Sequence, residues 1–339
     1  MSADREELKL AVVGLGAIAQ IVHLPILSRM PRCRITAVAD VHAQKTRTIA
    51  ERFEIPGQYE SLDELLEGEP DLDAVVLCTP NHLHGELATR ALRAGKHVIC
   101  ERPLATHADG VREVLDAARA ADRHVLVALN HRFRPDATAL RHFIESGDLG
   151  DIFYVRVVWL NRRVRQPTRG WRRDPAMSGG GVLMDLGIQA LDLALWSLGY
   201  PEPARVTCDV RTAPGEEVED SAVVLLRTAT GVTINAEVTW ELIAERDRHN
   251  LYVLGTRGSG SLAPFAVNRE ADTGVLDVTP PLPEGKENVY TASYREELAY
   301  FLAVLRGERT ADLPVNQETL MRIVEACYQS AAEGRDIVL

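Results

Sequence analysis

The sequence has few cysteines, and none of them stands in a C-x-x-C pair. Disulfide frameworks and structural zinc sites use an even number of cysteines or closely spaced ones. The odd number and wide spacing exclude both, and we expect reduced, mostly buried thiols and no metal site. The five cysteines are Cys33, Cys78, Cys100, Cys208 and Cys327.

Long apolar runs and a basic charge balance are also missing. No run approaches the ~20 residues that a membrane-spanning helix needs. Residues 1–9 are acidic and polar, without the basic start and cleavage site of a secretory signal. The net charge of −11 lacks the basic footprint of nucleic-acid binding. We therefore expect a soluble, cytoplasmic protein that binds neither membrane nor nucleic acid.

The length and the distribution of strand patterns predict two domains, residues 1–130 and 131–339. At 339 residues the chain exceeds the roughly 250–300 residues that one hydrophobic core supports. In the first part, short runs rich in β-branched residues alternate with helical patterns, which is typical of a parallel sheet with crossover helices. The predicted strands are 9–13, 35–39, 74–78, 97–100 and 124–129.

After residue 131 the pattern changes to longer strands separated by few helices, which predicts an open, mainly antiparallel sheet. The predicted strands are 152–160, 221–228, 232–240 and 250–254, with 229–231 as a hairpin turn. Residues 182–198 predict a helix with one apolar stripe, on which Asp185, Gln189 and Asp192 share another face. The fold class is thus α/β followed by an α+β domain.

A glycine-rich turn and a later acid predict a dinucleotide site. Gly14, Gly16, Ala17, Ile18 and Ala19 form a G-x-G-x-x-A motif where the first strand turns into a helix. Asp40 ends the second strand, about where an acid that binds the adenosine ribose is expected. Residues 41–44 contain no arginine or lysine to bind a 2′-phosphate, so NAD is favoured over NADP.

Two further strand ends should line the same crevice, because ligands of open parallel sheets bind at the carboxyl ends of the strands. His82 and His84 have no acid or thiol nearby to complete a metal site, so we interpret them as polar groups of a loop near the ribose. The predicted cofactor contacts in this region are Thr79, Pro80, Asn81, His84, Glu101, Arg102 and Asn130.

Several motifs in order across both halves resemble the Gfo/Idh/MocA family, the relatives of glucose–fructose oxidoreductase and inositol dehydrogenase. They are GLGAIAQ with His23-Leu24-Pro25, CTPNHLH, AGKHVICERPLA, NHRFRPD and WRRDPAMSGGGVLMDLG. The resemblance implies a Rossmann domain, a nicotinamide cofactor and hydride transfer at a carbinol of a sugar, polyol or related compound. It also implies that Trp171 and Arg172 approach the nicotinamide.

The chain departs from the family at two catalytic positions. The family lysine is Arg102 here and the family histidine is Gln189, so only the acid, Asp185, is retained. Oxidation of a carbinol needs a proton acceptor, and neither glutamine nor arginine can cycle a proton near neutral pH. The candidates are Asp185, His131 and a water between them. His84, His249, Tyr154 and Tyr294 remain open.

A cluster of arginines precedes the triple glycine and has two interpretations. It could be a solvated, ion-paired loop, or part of it could clamp a carboxylate or phosphate of the substrate, because arginine forks bind such groups bidentately. The cluster consists of Arg156, Arg162, Arg163, Arg165, Arg169, Arg172 and Arg173.

The sequence thus predicts an NAD-dependent oxidoreductase of a carbohydrate-like small molecule, with Arg102, Asp185, Gln189 and His131 at its reaction centre. One alternative is a catalytically degenerate sensor or scaffold that binds NAD and a carbohydrate. Another is a hydrolase or lyase that uses NAD transiently. The open face of the second sheet predicts a homodimer or homotetramer, since a subunit would cover its apolar strands.

Overall fold

A computed structural model of the chain describes residues 7–163, 170–282 and 288–339. The chain forms two compact units, one of Met1–Asn130 with Tyr290–Glu318 and one of His131–Val289 with Thr319–Leu339. Division of the sequence at residue 130 assigned Tyr290–Glu318 to the second domain, whereas the structure packs this segment in the first. Its buried residues, among them Leu298 and Phe301, have a helical spacing that carries no information about which sheet they cover.

In the described part of the first unit, six parallel strands form a sheet of order β3-β2-β1-β4-β5-β6. This is the strand order of a Rossmann fold, with its topological switch point between β1 and β4. The predicted doubly wound domain is confirmed. The strands are β1 Leu8–Val13, β2 Cys33–Ala39, β3 Gly57–Tyr59, β4 Ala74–Leu77, β5 His97–Glu101 and β6 Val125–Ala128.

Strand β3 escaped prediction because it has only three residues and no run of β-branched side chains. The helix after β1 is also unusual, since it begins as a π-helical turn, Ala19–His23, before continuing as α1. The α-helices are α1 Leu24–Leu27, α2 Ala43–Phe53, α3 Leu62–Gly68, α4 Asn81–Arg93, α5 Ala108–Ala121, α6 Pro135–Glu145, α7 Pro175–Ser178, α8 Ile188–Ser197, α9 Val289–Leu305 and α10 Asn316–Glu333.

In the second unit, nine strands of the described residues form a sheet of order β14-β13-β12-β11-β7-β10-β9-β8-β15. Every pair is antiparallel except the central pair of β7 and β10. The predicted, mainly antiparallel sheet is confirmed. The strands are β7 Ile152–Arg162, β8 Pro203–Arg211, β9 Ser221–Thr228, β10 Thr233–Leu242, β11 Arg248–Gly255, β12 Gly258–Leu262, β13 Ala266–Ala271, β14 Gly274–Asp277 and β15 Ile337–Val338.

Helix α8 packs against β7 and β10 on one face of this sheet. The opposite face carries exposed apolar side chains, including Val223 and Leu225 of β9 and Tyr252 and Leu254 of β11. Within the described ranges, no helix is long and apolar enough to cross a membrane. The same ranges hold no group of three His, Cys, Asp or Glu side chains placed to bind a metal ion.

Candidate cofactor and substrate sites

The turn after β1 has the geometry that its glycines predict. Gly14 has a φ of +88°, and a Cβ there would come within 2.7 Å of the backbone of Cys78 and Thr79. No atom lies within 4 Å of the position that a Cβ of Gly16 would occupy. Gly16 and Ala17 are exposed and Ile18 is half-buried, so the turn presents backbone rather than side chains to a ligand.

Asp40 lies at the end of the neighbouring strand and faces this turn. Its Oδ2 accepts from the backbone N–H of Leu15 at 2.8 Å, and its Oδ1 accepts from that of His42 at 3.1 Å. The ammonium of Lys45 lies 2.9 Å from both carboxylate oxygens. Burial raises the pKa of Asp40, but the hydrogen bonds from Lys45 and the two amides outweigh burial and lower it overall. The acid is therefore ionised and held beside the turn.

Lys45 changes one premise of the sequence argument. Residues 41–44 contain no cation, but the next residue does, and the first turn of α2 brings it onto Asp40. The carboxylate that favours NAD is therefore paired with a cation.

The loop after β4 holds Thr79 and Pro80 half-exposed, while Asn81 and His84 are buried. His84 is 1% exposed, and its Nδ1 and Nε2 lie 2.7 Å from the carbonyl oxygen of Pro103 and 2.8 Å from that of Thr79. Burial lowers the pKa of His84. Its ring thus links the loops after β4 and β5, and the predicted contact of His84 with the ribose stays a prediction.

Glu101, at the end of β5, pairs with a histidine that the sequence analysis used only as part of a motif. The fully buried His23 lies with its Nε2 at 2.7 Å from Oε1 of Glu101. Burial disfavours charge on His23, yet Cys78 and Glu101 beside it raise its pKa well above the usual value. The pair ties the helix after β1 to the end of β5, where Arg102 follows.

Helix α9 supplies two tyrosines to the same unit. The hydroxyls of Tyr290 and Tyr294 are 3.0 Å apart, and Tyr294 is buried. Burial and the nearby Glu101 raise the pKa of Tyr294, so its phenol is protonated at neutral pH and cannot accept a proton. Asn130 donates to Ser293 of this helix at 2.9 Å and is itself buried. Asn130 therefore anchors α9, and any cofactor contact from it stays a prediction.

These residues fit a dinucleotide. A pyrophosphate needs a glycine that leaves the backbone accessible, and the space beside Gly16 is open. A ribose needs an acceptor for its hydroxyls, and Asp40 is an ionised acceptor at the neighbouring strand end. In this unit Gly14, Gly16, Ala17, Ile18 and Asp40 come together around the switch point.

In the second unit, the triple glycine is wrapped around a buried carboxylate. Glu219 is 5% exposed and accepts from the backbone N–H of Gly181 at 2.9 Å and of Leu183 at 2.9 Å. Tyr328 donates to the same carboxylate at 3.0 Å. A Cβ on Gly181 would overlap the carbonyl oxygen of Glu219. Glu219 therefore fixes the start of the helix that carries Asp185, and the glycines are required for that close approach.

Asp185 lies in a π-helical turn, Leu183–Gly187, that leads into α8. Its Oδ2 accepts from the indole N–H of Trp240 at 3.2 Å. The side chain of Gln189 donates to the backbone carbonyl of Asp185 at 3.2 Å. Asp185 and Gln189 are both half-buried, whereas Asp192, expected on the same face, is buried in an ion pair with Arg132. The glutamine amide binds the main chain of Asp185 and not its carboxylate.

His131 belongs to a layer of rings on the same face of the sheet. Its ring centroid lies 4.5 Å from that of Trp159, which in turn lies 5.3 Å from that of His249. Trp159 pairs with Val238 on the adjacent strand, two residues before Trp240, which donates to Asp185. The ring layer therefore lies near the part of the sheet that contacts Asp185. Tyr154 points to the opposite, open face, since residues of one strand alternate between faces.

His249 is oriented by an amide. Its Nε2 lies 2.6 Å from Oδ1 of Asn161, and because an amide oxygen only accepts, Nε2 donates. Nδ1 is then the acceptor of the neutral ring. Burial lowers the pKa of His249, which favours the neutral form. The side chain of His249 is half-buried, whereas His131 is buried and only 8% exposed.

The described members of the arginine cluster are engaged within the unit. Arg156 pairs with Glu237 at 2.9 Å, Arg162 with Asp247 at 3.2 Å and Arg173 with Glu216 at 2.9 Å, and Arg163 pairs with Glu241. The guanidinium of Arg172 stacks on Trp171 at 4.5 Å from the ring centroid. Arg165 and Arg169 lie outside the described residues. The ion pairs favour the interpretation as solvated, ion-paired residues, but Arg156 and Arg162 lie on strand β7 and not in a loop.

Four further residues belong to these sites although no sequence motif marks them: Lys45, Glu219, Trp240 and Asn161. Each acts through a partner that no local pattern indicates; Glu219, for example, lies 38 residues from the glycine it binds. The one sequence signal for Glu219 is an acid placed two residues before the predicted strand 221–228.

The first unit is a Rossmann fold whose switch point has room for a dinucleotide. The second unit is a mixed sheet with a helix that begins at the triple glycine and carries Asp185. This combination defines a two-domain nicotinamide-dependent oxidoreductase. Two family descriptions match the chain: an oxidoreductase family with an NAD-binding Rossmann fold over residues 8–129, and the GFO/IDH/MocA C-terminal domain over residues 137–261. The chain belongs to the Gfo/Idh/MocA oxidoreductase family.

Individual relatives agree with this assignment. An inositol 2-dehydrogenase of Rhizobium meliloti is 29% identical over 97% of this chain and 98% of its own. A D-glucoside 3-dehydrogenase of Escherichia coli is 27% identical over 98% and 97%. The crystal structure of GenD2 from gentamicin A biosynthesis, in complex with NAD, superposes with a TM-score of 0.84 at 26% identity over 98% and 97%. The predicted family and its NAD-type cofactor are confirmed.

Proposed function

We propose that the chain is an NAD-dependent dehydrogenase that oxidises a secondary alcohol of a polyol, sugar or sugar acid, or reduces the corresponding ketone. The named activities of its relatives on inositol and D-glucosides support this substrate class. When bound, NAD supplies the hydride acceptor. The protein must then orient the carbinol and take the hydroxyl proton.

One observation carries the assignment of the reaction centre. Along residues 181–195, all of which the structure describes, Asp185 and Gln189 are the two side chains that are not buried. This helix thus offers one carboxylate and one amide at its surface, while its other carboxylate, Asp192, is buried in an ion pair with Arg132. A carboxylate can accept the hydroxyl proton as hydride leaves the carbinol carbon, and an amide can hold a second hydroxyl.

We propose that Arg102 acts differently from the lysine that the family resemblance implies at this position. A guanidinium remains protonated, so it can donate to the carbinol oxygen and stabilise charge on it without exchanging the proton. We propose that Trp171 and Arg172 contact the nicotinamide side of the site. His131 then supports the ring layer, and His249, whose Nδ1 is an acceptor, is the second candidate for the proton.

The function is tested by incubating the protein with NAD and separate panels of inositols, D-glucosides, free sugars and sugar acids. NADH absorbance and the carbonyl product are measured together. Formation of both in equal amounts with at least one panel is the expected result. NADH binding without turnover on any panel would favour the degenerate sensor or scaffold, for which the replaced lysine and histidine are the supporting observation. Product without net NADH would indicate a lyase or hydrolase.

We also propose that the open sheet face forms a subunit interface in a homodimer or homotetramer. One row of paired residues on strands β9, β10, β7 and β11 shares that face. It consists of Leu225, Asn235, Arg156 and Tyr252. The exposed apolar side chains of this face, on β9 and β11, flank the polar Asn235 and Arg156, and exposed apolar groups on one face are typical of interaction surfaces. Sedimentation of the wild type and of Leu225→Arg tests this, and an unchanged mass would contradict it.

A further inference from the structure

The contacts of Asp40 leave no hydrogen-bonding direction of its carboxylate unused. A carboxylate accepts about four hydrogen bonds. Oδ1 accepts from His42 N–H and from Lys45, and Oδ2 accepts from Leu15 N–H and from Lys45. Lys45 thus occupies a position equidistant from both oxygens.

A ribose diol that binds Asp40 must therefore displace one of its partners. The amides of Leu15 and His42 belong to the main chain around the cofactor turn and move only with it. Lys45 is held by a flexible side chain that is 34% exposed, so it is the partner that can leave. Its ammonium would stay within reach of whatever occupies the ribose position.

We infer that Lys45 sets the cofactor preference of this chain: it competes with the ribose for Asp40, and it pairs with the 2′-phosphate when the cofactor is NADP. The inference rests on the proposed cofactor site at Asp40. An unpaired carboxylate opposes a 2′-phosphate by charge repulsion. A lysine between the Asp40 carboxylate and the 2′-phosphate offsets that repulsion. The difference in affinity between NAD and NADP is therefore smaller than it would be with Asp40 alone.

The test is a titration of NADH and NADPH, without substrate, into the wild type and Lys45→Met, which keeps a long unbranched side chain but removes the charge. NADPH binding should weaken about tenfold, or ~1.4 kcal/mol. NADH binding should be unchanged or tighter. Lys9→Met is the matched control. It removes the same charge from an exposed position at the start of β1, the far end of the strand from the cofactor turn.

Asp40→Asn, measured alone and combined with Lys45→Met, tests the same inference with a second substitution. Asp40→Asn should strengthen NADPH binding at least about threefold while Lys45 is present, and clearly less in the Lys45→Met background. Equal losses of NADH and NADPH on Lys45→Met, or a loss no larger than that of Lys9→Met, would overturn the role of Lys45. Absence of turnover with normal binding of both nucleotides would instead contradict the proposed dehydrogenase function alone.

Discussion

The indole N–H of Trp240 donates to Oδ2 of Asp185 over 3.2 Å and so ties the acid of a π-helical turn to strand β10, 55 residues further along the chain. This hydrogen bond fixes the orientation of the carboxylate that we propose as the base.

Replacing Asp185 tests whether it is the base. Asp185→Asn should reduce turnover ~10²–10⁴-fold and leave NADH affinity nearly unchanged, because the amide keeps the shape but cannot accept the proton. Trp240→Phe is the companion variant. Loss of the indole donor removes the hydrogen bond that orients the carboxylate, so kcat should fall while NADH affinity stays near the wild-type value. Fast turnover in the wild type that is unchanged in Asp185→Asn would show that Asp185 is not the base, and His131 or His249 would become the candidate.

Arg102 is expected to bind and polarise without titrating. Arg102→Lys should preserve folding and NADH binding but introduce a titratable group, so a new ionisation should enter the pH profile. An unchanged rate and profile would place Arg102 outside the reaction centre. If the wild type is inert, Arg102→Lys combined with Gln189→His introduces the lysine and histidine that the family resemblance implies. Appearance of polyol oxidation in this double variant would then identify the wild type as a degenerate binder.

Asp40 is expected to decide recognition of the adenosine ribose. NADH should bind at least tenfold more tightly than NADPH, or about 1.4 kcal/mol. Asp40→Ala should weaken NADH binding and reduce this ratio. Calorimetric titration with both nucleotides measures it, and a circular dichroism spectrum identical to the wild type serves as the folding control. Equal affinities for NADH and NADPH in both the wild type and Lys45→Met would contradict the assignment of the ribose acid.

The glycines before α8 should be needed for stability. Gly181→Ala places a Cβ on the carbonyl oxygen of Glu219, and because backbone cannot move aside cheaply, we expect a loss of about 3 kcal/mol or more in the free energy of unfolding. Gly199→Ala is the control, since its φ is +74° but nothing lies within 4 Å. It should lose only about 1 kcal/mol. Urea unfolding compares the two, and equal losses would refute the role of the close approach.

The Rossmann half could be predicted because its signals are local. Buried parallel strands are continuous apolar runs, and the positive φ at Gly14 and the acid at the end of β2 each follow from one strand–turn–helix unit. The second sheet was predicted less completely. Strands β12 to β14 are short and carry glycine and charged residues, so their pairing depends on neighbours that no pattern in the sequence indicates.

The sequence by itself determined which chemical groups are available: a glycine-rich turn, an acid after β2, an acid on the helix after the triple glycine, and Arg102 and Gln189, neither of which cycles a proton near neutral pH. Tertiary structure alone decided how those groups are used. It put Lys45 on Asp40, turned the amide of Gln189 to the main chain, and joined His23 to Glu101 across 78 residues. Residue types fix donors, acceptors and charge, but which of them meet depends on packing between distant segments, and hydrogen bonds and ion pairs form only within a few ångströms.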